Sequence, residues 1–298
     1  MQADSAVKEI AVNYNIKAII WVLAGTGIFS LIFTSGRLLD GADWVWQIIF
    51  FRYLSGFVLM LIIAKQQKVA LTVSAKWPTH LARALFGGAG GCAAIYAAAN
   101  MPVASAAAIG LLDSVFAVVL GIFVFGELVG SKRWLAILGC LVGAAVVLFD
   151  KGAFQGSAFL SAPAIVALLG ALFLAIESVF IRALATSENV VSILLHVNFF
   201  GMLIFAVPAI YVWDMTDIYI KLLLCLLGPL ALIGQYCNIR GYRLAGLSIV
   251  APVGYSWIIF AMMIDYVLFA TTASYVALIG AALILASGYL LARTPERV

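Results

Sequence analysis

The chain predicts an all-α integral membrane protein: ten transmembrane helices, arranged as two inverted five-helix repeats. Three observations carry this. Of 298 residues, 65% are hydrophobic and only 10% charged, with mean hydropathy +1.16, a surface that only a bilayer covers. The apolar stretches run long and continuous, which selects helices over the short alternating strands of a barrel. The order of sequence features also repeats at a near-constant offset: Gly110 to Gly254 and Phe125 to Phe269 are 144 apart, while Arg37 to Arg182, Gly25 to Gly170 and Gly56 to Gly201 are 145 apart. An offset of half the chain points to an internal duplication, with repeats at 1–150 and 151–298 joined by the Gly/Ser-containing linker from Asp150 to Pro163.

Taken in order, the spans fall at Ile16 to Ser35, Trp44 to Ala64, Leu81 to Asn100, Val103 to Phe125, Trp134 to Phe149, Pro163 to Ala183, Val190 to Trp213, Ile218 to Arg240, Leu247 to Phe269 and Ser274 to Leu291. The first is long for a signal-peptide core and lacks a small-residue cleavage site, so it is expected to stay. With the N-terminus cytoplasmic, 13 of the 17 Lys and Arg residues lie inside and three outside (Arg37, Lys151, Lys221), while Arg52 lies within a span. That bias places both termini in the cytoplasm. Five spans per repeat then insert the second repeat upside down, the arrangement of alternating-access transporters. Pro102 enters the fourth span where a missing N–H costs nothing, whereas Pro252 is expected to kink the ninth.

Net charge +4 reports basic cytoplasmic loops rather than nucleic-acid binding. The four cysteines lie in apolar runs without C-x-x-C spacing, which implies neither a disulfide framework nor a metal site. Asp113 and Asp265 differ in depth by roughly 9 Å on helical rise, too far for a shared-proton protease pair, and the sequence has no P-loop, H-E-x-x-H or G-x-S-x-G. An enzyme is therefore not expected, and no cofactor is implied.

FFRYLSG on the second span, the fourth span ending in FVFGE, and SIVAPVGYSW on the ninth resemble the drug/metabolite transporter superfamily with its EamA-type repeat. The resemblance covers essentially the whole chain and implies a secondary transporter of the bacterial inner membrane, monomeric or homodimeric, with a small-molecule substrate, the lipid bilayer and protons as partners. It favours export of an amino acid or derivative. Uptake of S-adenosylmethionine or a flavin, and a non-transporting assembly role, are the alternatives. The chain departs from the family pattern at Ser114, where a proline is common, and at Thr271, where a second acidic residue is common.

Intramembrane charges mark candidate function. Arg52 lies roughly 12 Å and Asp113 roughly 15 Å below the outer ends of their spans, and Glu177 and His196 each roughly 9 Å above the cytoplasmic ends of theirs. On the functional reading, Arg52 holds a substrate carboxylate while Glu177 or His196 carries a proton. On the structural reading, Arg52 and Asp113 form a buried ion pair and Glu177 hydrogen-bonds His196. Tyr96, Tyr236, Tyr255 and Trp257 fall within the repeat cores, where aromatic faces can stack a substrate. Glu127, Arg240 and Arg243 are expected to snorkel at span ends.

Overall fold

The computed structural model describes residues 2–35, 45–68, 72–101, 103–154, 161–213, 218–270 and 272–294; Arg37, Pro102 and Thr271 lie outside them. The helices are α1 (Gln2–Ser35), α2 (Val45–Gln66), α3 (Trp77–Asn100), α4 (Val103–Gly110), α5 (Leu112–Phe125), α6 (Ser131–Asp150), α7 (Ala162–Ala185), α8 (Val190–Tyr211), α9 (Ile218–Leu244), α10 (Leu247–Val250), α11 (Trp257–Phe269) and α12 (Tyr275–Ala292), with a 3₁₀ segment over Ala251–Ser256. Nine stretches among the described residues are long and apolar enough to cross a membrane. These count α4 with α5, and α10 through α11, as single spans. The remaining helix, α9, is long enough at 27 residues; Lys221, Gln235, Asn238, Arg240 and Arg243 make it more polar than the rest.

Two spans are interrupted. Between α4 and α5 the helix breaks at Leu111, and the ninth span tightens into the 3₁₀ segment that opens at Ala251 and Pro252. Proline has no N–H for the α-helical ladder, and a 3₁₀ turn absorbs the gap. The expected kink at Pro252 is thus a change of helix type over six residues. The two interruptions face each other: Tyr255 Oη donates to the Leu111 carbonyl at 2.9 Å, and Ser114 Oγ to the Ala251 carbonyl at 3.0 Å.

Helix pairing follows small residues. In lipid, apolar burial does not drive helices together, so close backbone approach and interhelical hydrogen bonds do. Along α6 and α12, a Cβ on Gly143 would sit 2.8 Å from the Gly280 carbonyl, and one on Gly280 2.6 Å from that of Gly143. Elsewhere α3 packs on α7, α1 on α9, and α2 on α8 and α9. Asn15 Nδ2 donates to the Thr294 carbonyl at 3.0 Å, so the beginning of the apolar span of α1, which opens at Ala11, and the end of α12 share one face of the bundle, called here the terminal face.

Candidate functional site

Three charged side chains meet inside the bundle. Arg52 stands seven residues into α2, about 10 Å from its start by helical rise, with its guanidinium carbon 4.5 Å from the Tyr53 ring centroid. Tyr53 is in turn held by stacking on Phe205 of α8, centroids 5.9 Å apart. Arg83 projects from α3 and is only 1% exposed. Glu177, on α7, lies within electrostatic reach of both arginines. Its carboxylate crosses α3 at Gly87, one turn beyond Arg83, where a Cβ would stand 2.6 Å from both carboxylate oxygens. Glycine is what the crossing needs.

These charges are close without being satisfied. Arg83 Nε stands 3.8 Å from Glu177 Oε1, too far for a hydrogen bond. Arg83 Nε and Nη1, and Arg52 Nε, are buried with no hydrogen-bond partner among the described residues. A buried donor left unmet costs about 1–3 kcal/mol, more for a charged group, so this cluster carries donors that the protein itself does not use.

Asp113 belongs to a different neighbourhood. It accepts from Ser114 Oγ at 2.8 Å, and its electrostatic influence falls on Tyr242 and Tyr255. The ion pair with Arg52 that their depths allow does not form among the described residues. Helical rise gives height along the bundle, whereas Arg52 turns toward α3 and α7, and Asp113 toward the interrupted ninth span. Tyr255 is 1% exposed and spends its hydroxyl on Leu111, so it braces the two interruptions. Trp257 sits at the start of α11, where its carbonyl accepts from Ser30 Oγ at 3.2 Å. Glu127 does not snorkel: its carboxylate accepts from the backbone N–H groups of Leu247 at 2.6 Å and Ser248 at 2.8 Å, capping the start of α10.

His196 does not reach Glu177 either. Its Nε2 accepts from the Ser74 N–H at 3.1 Å, its Nδ1 lies 2.8 Å from the Ser192 carbonyl, and its ring stacks on that of His80 at 4.8 Å between centroids. Glu188, in the turn between α7 and α8, ties this group together: it bonds Ser74 Oγ, His80 Nε2 at 3.0 Å and Ser192 Oγ at 3.1 Å. Burial pushes the Glu188 carboxyl up, but the hydrogen bonds from Ser74 and His80 outweigh it and hold the group below the usual glutamate range. Nearby, Arg243 of α9 donates to the Ala185 and Glu188 carbonyls while Arg182 of α7 donates to the Tyr242 carbonyl. Each arginine serves carbonyls at the other helix's C-terminal end, where a cation is favoured.

The remaining aromatics separate. Tyr96 is 43% exposed and lines a cavity of ≈ 290 Å³ with Val45, Trp46, Cys92 and Val166. Cys92, in that wall, feels the charge of Arg52. Tyr236 is 38% exposed and packs edge-on against Trp21, on the outside of the α1–α9 pair.

Arg83 and Glu188 are the residues that sequence reasoning missed. Arg83 counts among the cytoplasmic cations because it stands only two residues after the expected span start at Leu81, yet α3 starts at Trp77 with Pro78 in its first turn, which puts Arg83 a turn deeper in the helix. A proline in the first turn of a helix was the signal available.

Residues 16–149 match the model of the EamA-like transporter family. Two relatives, Pseudopaline exporter CntI of Pseudomonas aeruginosa PAO1 and the protein of that name in strain UCBPP-PA14, are each 26% identical to this chain, over 84% of it and 87% of their own length. One solved structure, described as a crystal structure of protein, superposes with a TM-score of 0.74 over 95% of this chain and 97% of its own, at 16% identity, and shares the fold. Over residues 16–149 the chain is similar to the EamA-like transporter family.

Proposed function

We propose that this protein exports a small amino-acid-like metabolite across the bacterial inner membrane by alternating access, binding the substrate carboxylate at Arg52. The observation that carries this is a charged guanidinium inside the bundle whose Nε is buried without a partner, facing α3 and α7 rather than Asp113. A planar fork of donors suits a carboxylate. Glu177 is the proton-coupling or amine-binding group. His196, engaged with Ser74 and Ser192, belongs to a latch at the terminal face instead. Export is favoured over uptake because both named relatives are exporters.

The two halves, residues 1–150 and 151–298, act as inverted repeats. In support, the packing of α3 on α7 has its counterpart in that of α1 on α9, and the two interruptions meet through residues 144 apart, Leu111 and Tyr255. Discontinuous helices crossing at mid-bundle are the usual setting of a transporter's site. The positive-inside bias puts the terminal face in the cytoplasm. On that orientation the Glu188 and Glu127 contacts close the inner end, and the cavity beside Tyr96 lies toward the periplasm.

Counterflow of labelled amino acids in proteoliposomes tests the reading. Arg52→Ala removes a charge-assisted contact of about 1.5–3 kcal/mol, so carboxylate substrates should lose about ten- to a hundredfold in affinity while the melting temperature stays near wild type. Unchanged transport with a lowered melting temperature would return Arg52 to a structural role.

A further inference from the structure

We infer that the substrate carries two carboxylates beside an amine, and that Arg83 is the second carboxylate fork. This rests on the reading of Arg52 and Glu177 above and narrows its substrate class. Arg83 is buried in the interior of α3 and stands 3.8 Å from the one acid near it. Two of its nitrogens, Nε and Nη1, have no hydrogen-bond partner among the described residues. Were Arg83 there to neutralise Glu177, the two planar groups would close to a bidentate pair at roughly 2.7–2.9 Å. They do not, and Gly87 holds the carboxylate against α3 one turn away.

Charge balance leads to the same substrate. The electrostatic neighbours of Arg83 are Glu177, Tyr53, Tyr242 and Arg52, so the cluster holds two cations and one anion. Asp113 and the cluster share Tyr242, on which Asp113, Glu177 and Arg83 all act, while Asp113 itself is held by Ser114. A net positive charge inside a membrane is costly and is neutralised by a ligand of net charge −1. Two carboxylates and one ammonium give that charge: Arg52 and Arg83 each take a carboxylate, and Glu177 takes the ammonium. A simple amino acid, being neutral overall, leaves Arg83 unmet. Specificity of this kind is sharp because the penalty falls on the buried group left without a partner.

The test uses ligands on the wild-type protein in nanodiscs. Aspartate, glutamate, 2-aminoadipate and 2-aminopimelate are each compared with the derivative whose distal carboxylate is amidated, by calorimetric titration. At the chain length that spans the two forks, amidation should weaken binding about tenfold or more. In Arg83→Gln the two ligands of that pair should bind within about threefold of each other, the amide no more weakly than to wild type. Arg83→Lys, which keeps the charge and loses the fork, should fall between. If Arg83→Gln does not fold, the wild-type comparison and Arg83→Lys decide. Diacid and amide binding equally at every length, with both lost in Arg52→Ala, would overturn the second fork and leave the proposed function standing. No binding by any member of the series would overturn both.

Discussion

The centre of the bundle and its terminal face each gather charged and polar side chains around one glutamate, and they handle them in opposite ways. At the terminal face every partner of Glu188 comes within bonding distance: Ser74, His80 and Ser192 from three different segments, with Arg243 on its backbone carbonyl. Among the described residues, His80 Nδ1 is the one buried atom of that group without a hydrogen-bond partner. At the centre, Glu177 has two arginines in reach and a hydrogen bond to neither, while three guanidinium nitrogens stay unmet. A satisfied polar network locks elements together, whereas an unsatisfied one holds donors in place for something else. The first latches the fold, and the second is the site proposed above.

The comparison breaks most readily at Glu188. Replacing it with alanine strips the acceptor from Ser74, Ser192 and the fully buried His80, and each buried donor left unmet costs about 1–3 kcal/mol. A clear fall in melting temperature in detergent is expected, with ligand affinity kept in whatever protein remains folded. A melting temperature within a degree of wild type would remove the distinction between latch and site.

A smaller effect is expected at Gly87. A methyl group there occupies the space of the Glu177 carboxylate, so Gly87→Ala should cost about 1–3 kcal/mol by overpacking. It should also weaken binding of amine-bearing substrates more than that of simple carboxylates. Equal loss for both classes would show that Glu177 does not meet the amine.

The smallest effect is a pH dependence. Because Glu188 is held below its ordinary value of 4.5 in the folded protein, its contribution is full above that pH and fades as pH falls through the lower folded-state value. The wild-type melting temperature should therefore decline more steeply than that of Glu188→Gln on going from about pH 5 to pH 3. Parallel curves would mean that the latch does not depend on the charge.

How much of this was legible beforehand differs residue by residue. Helix ends could be read closely, since a bilayer demands about 20 apolar residues per span: Val190 starts α8 and Asn100 ends α3 as expected. Pro252 correctly marked a departure from regular helix. Which charges meet was not legible: Arg52 and Glu177, read from opposite ends of their spans, influence each other electrostatically. The failures share one cause. Arg52 with Asp113, and Glu177 with His196, match in height but point toward different neighbours, and rotation about the helix axis depends on which helices pack together.

The sequence by itself therefore determined the solvent and the helices, since these follow from composition and from distances along one chain. Only the tertiary structure decided which charges share a neighbourhood. It brought Arg83 inward to Glu177, sent His196 to Ser74 and His80, and turned Glu127 onto the backbone of Leu247 and Ser248. Those choices rest on side chains from helices far apart in sequence, packed through small residues whose effect exists only once the partner helix is in place.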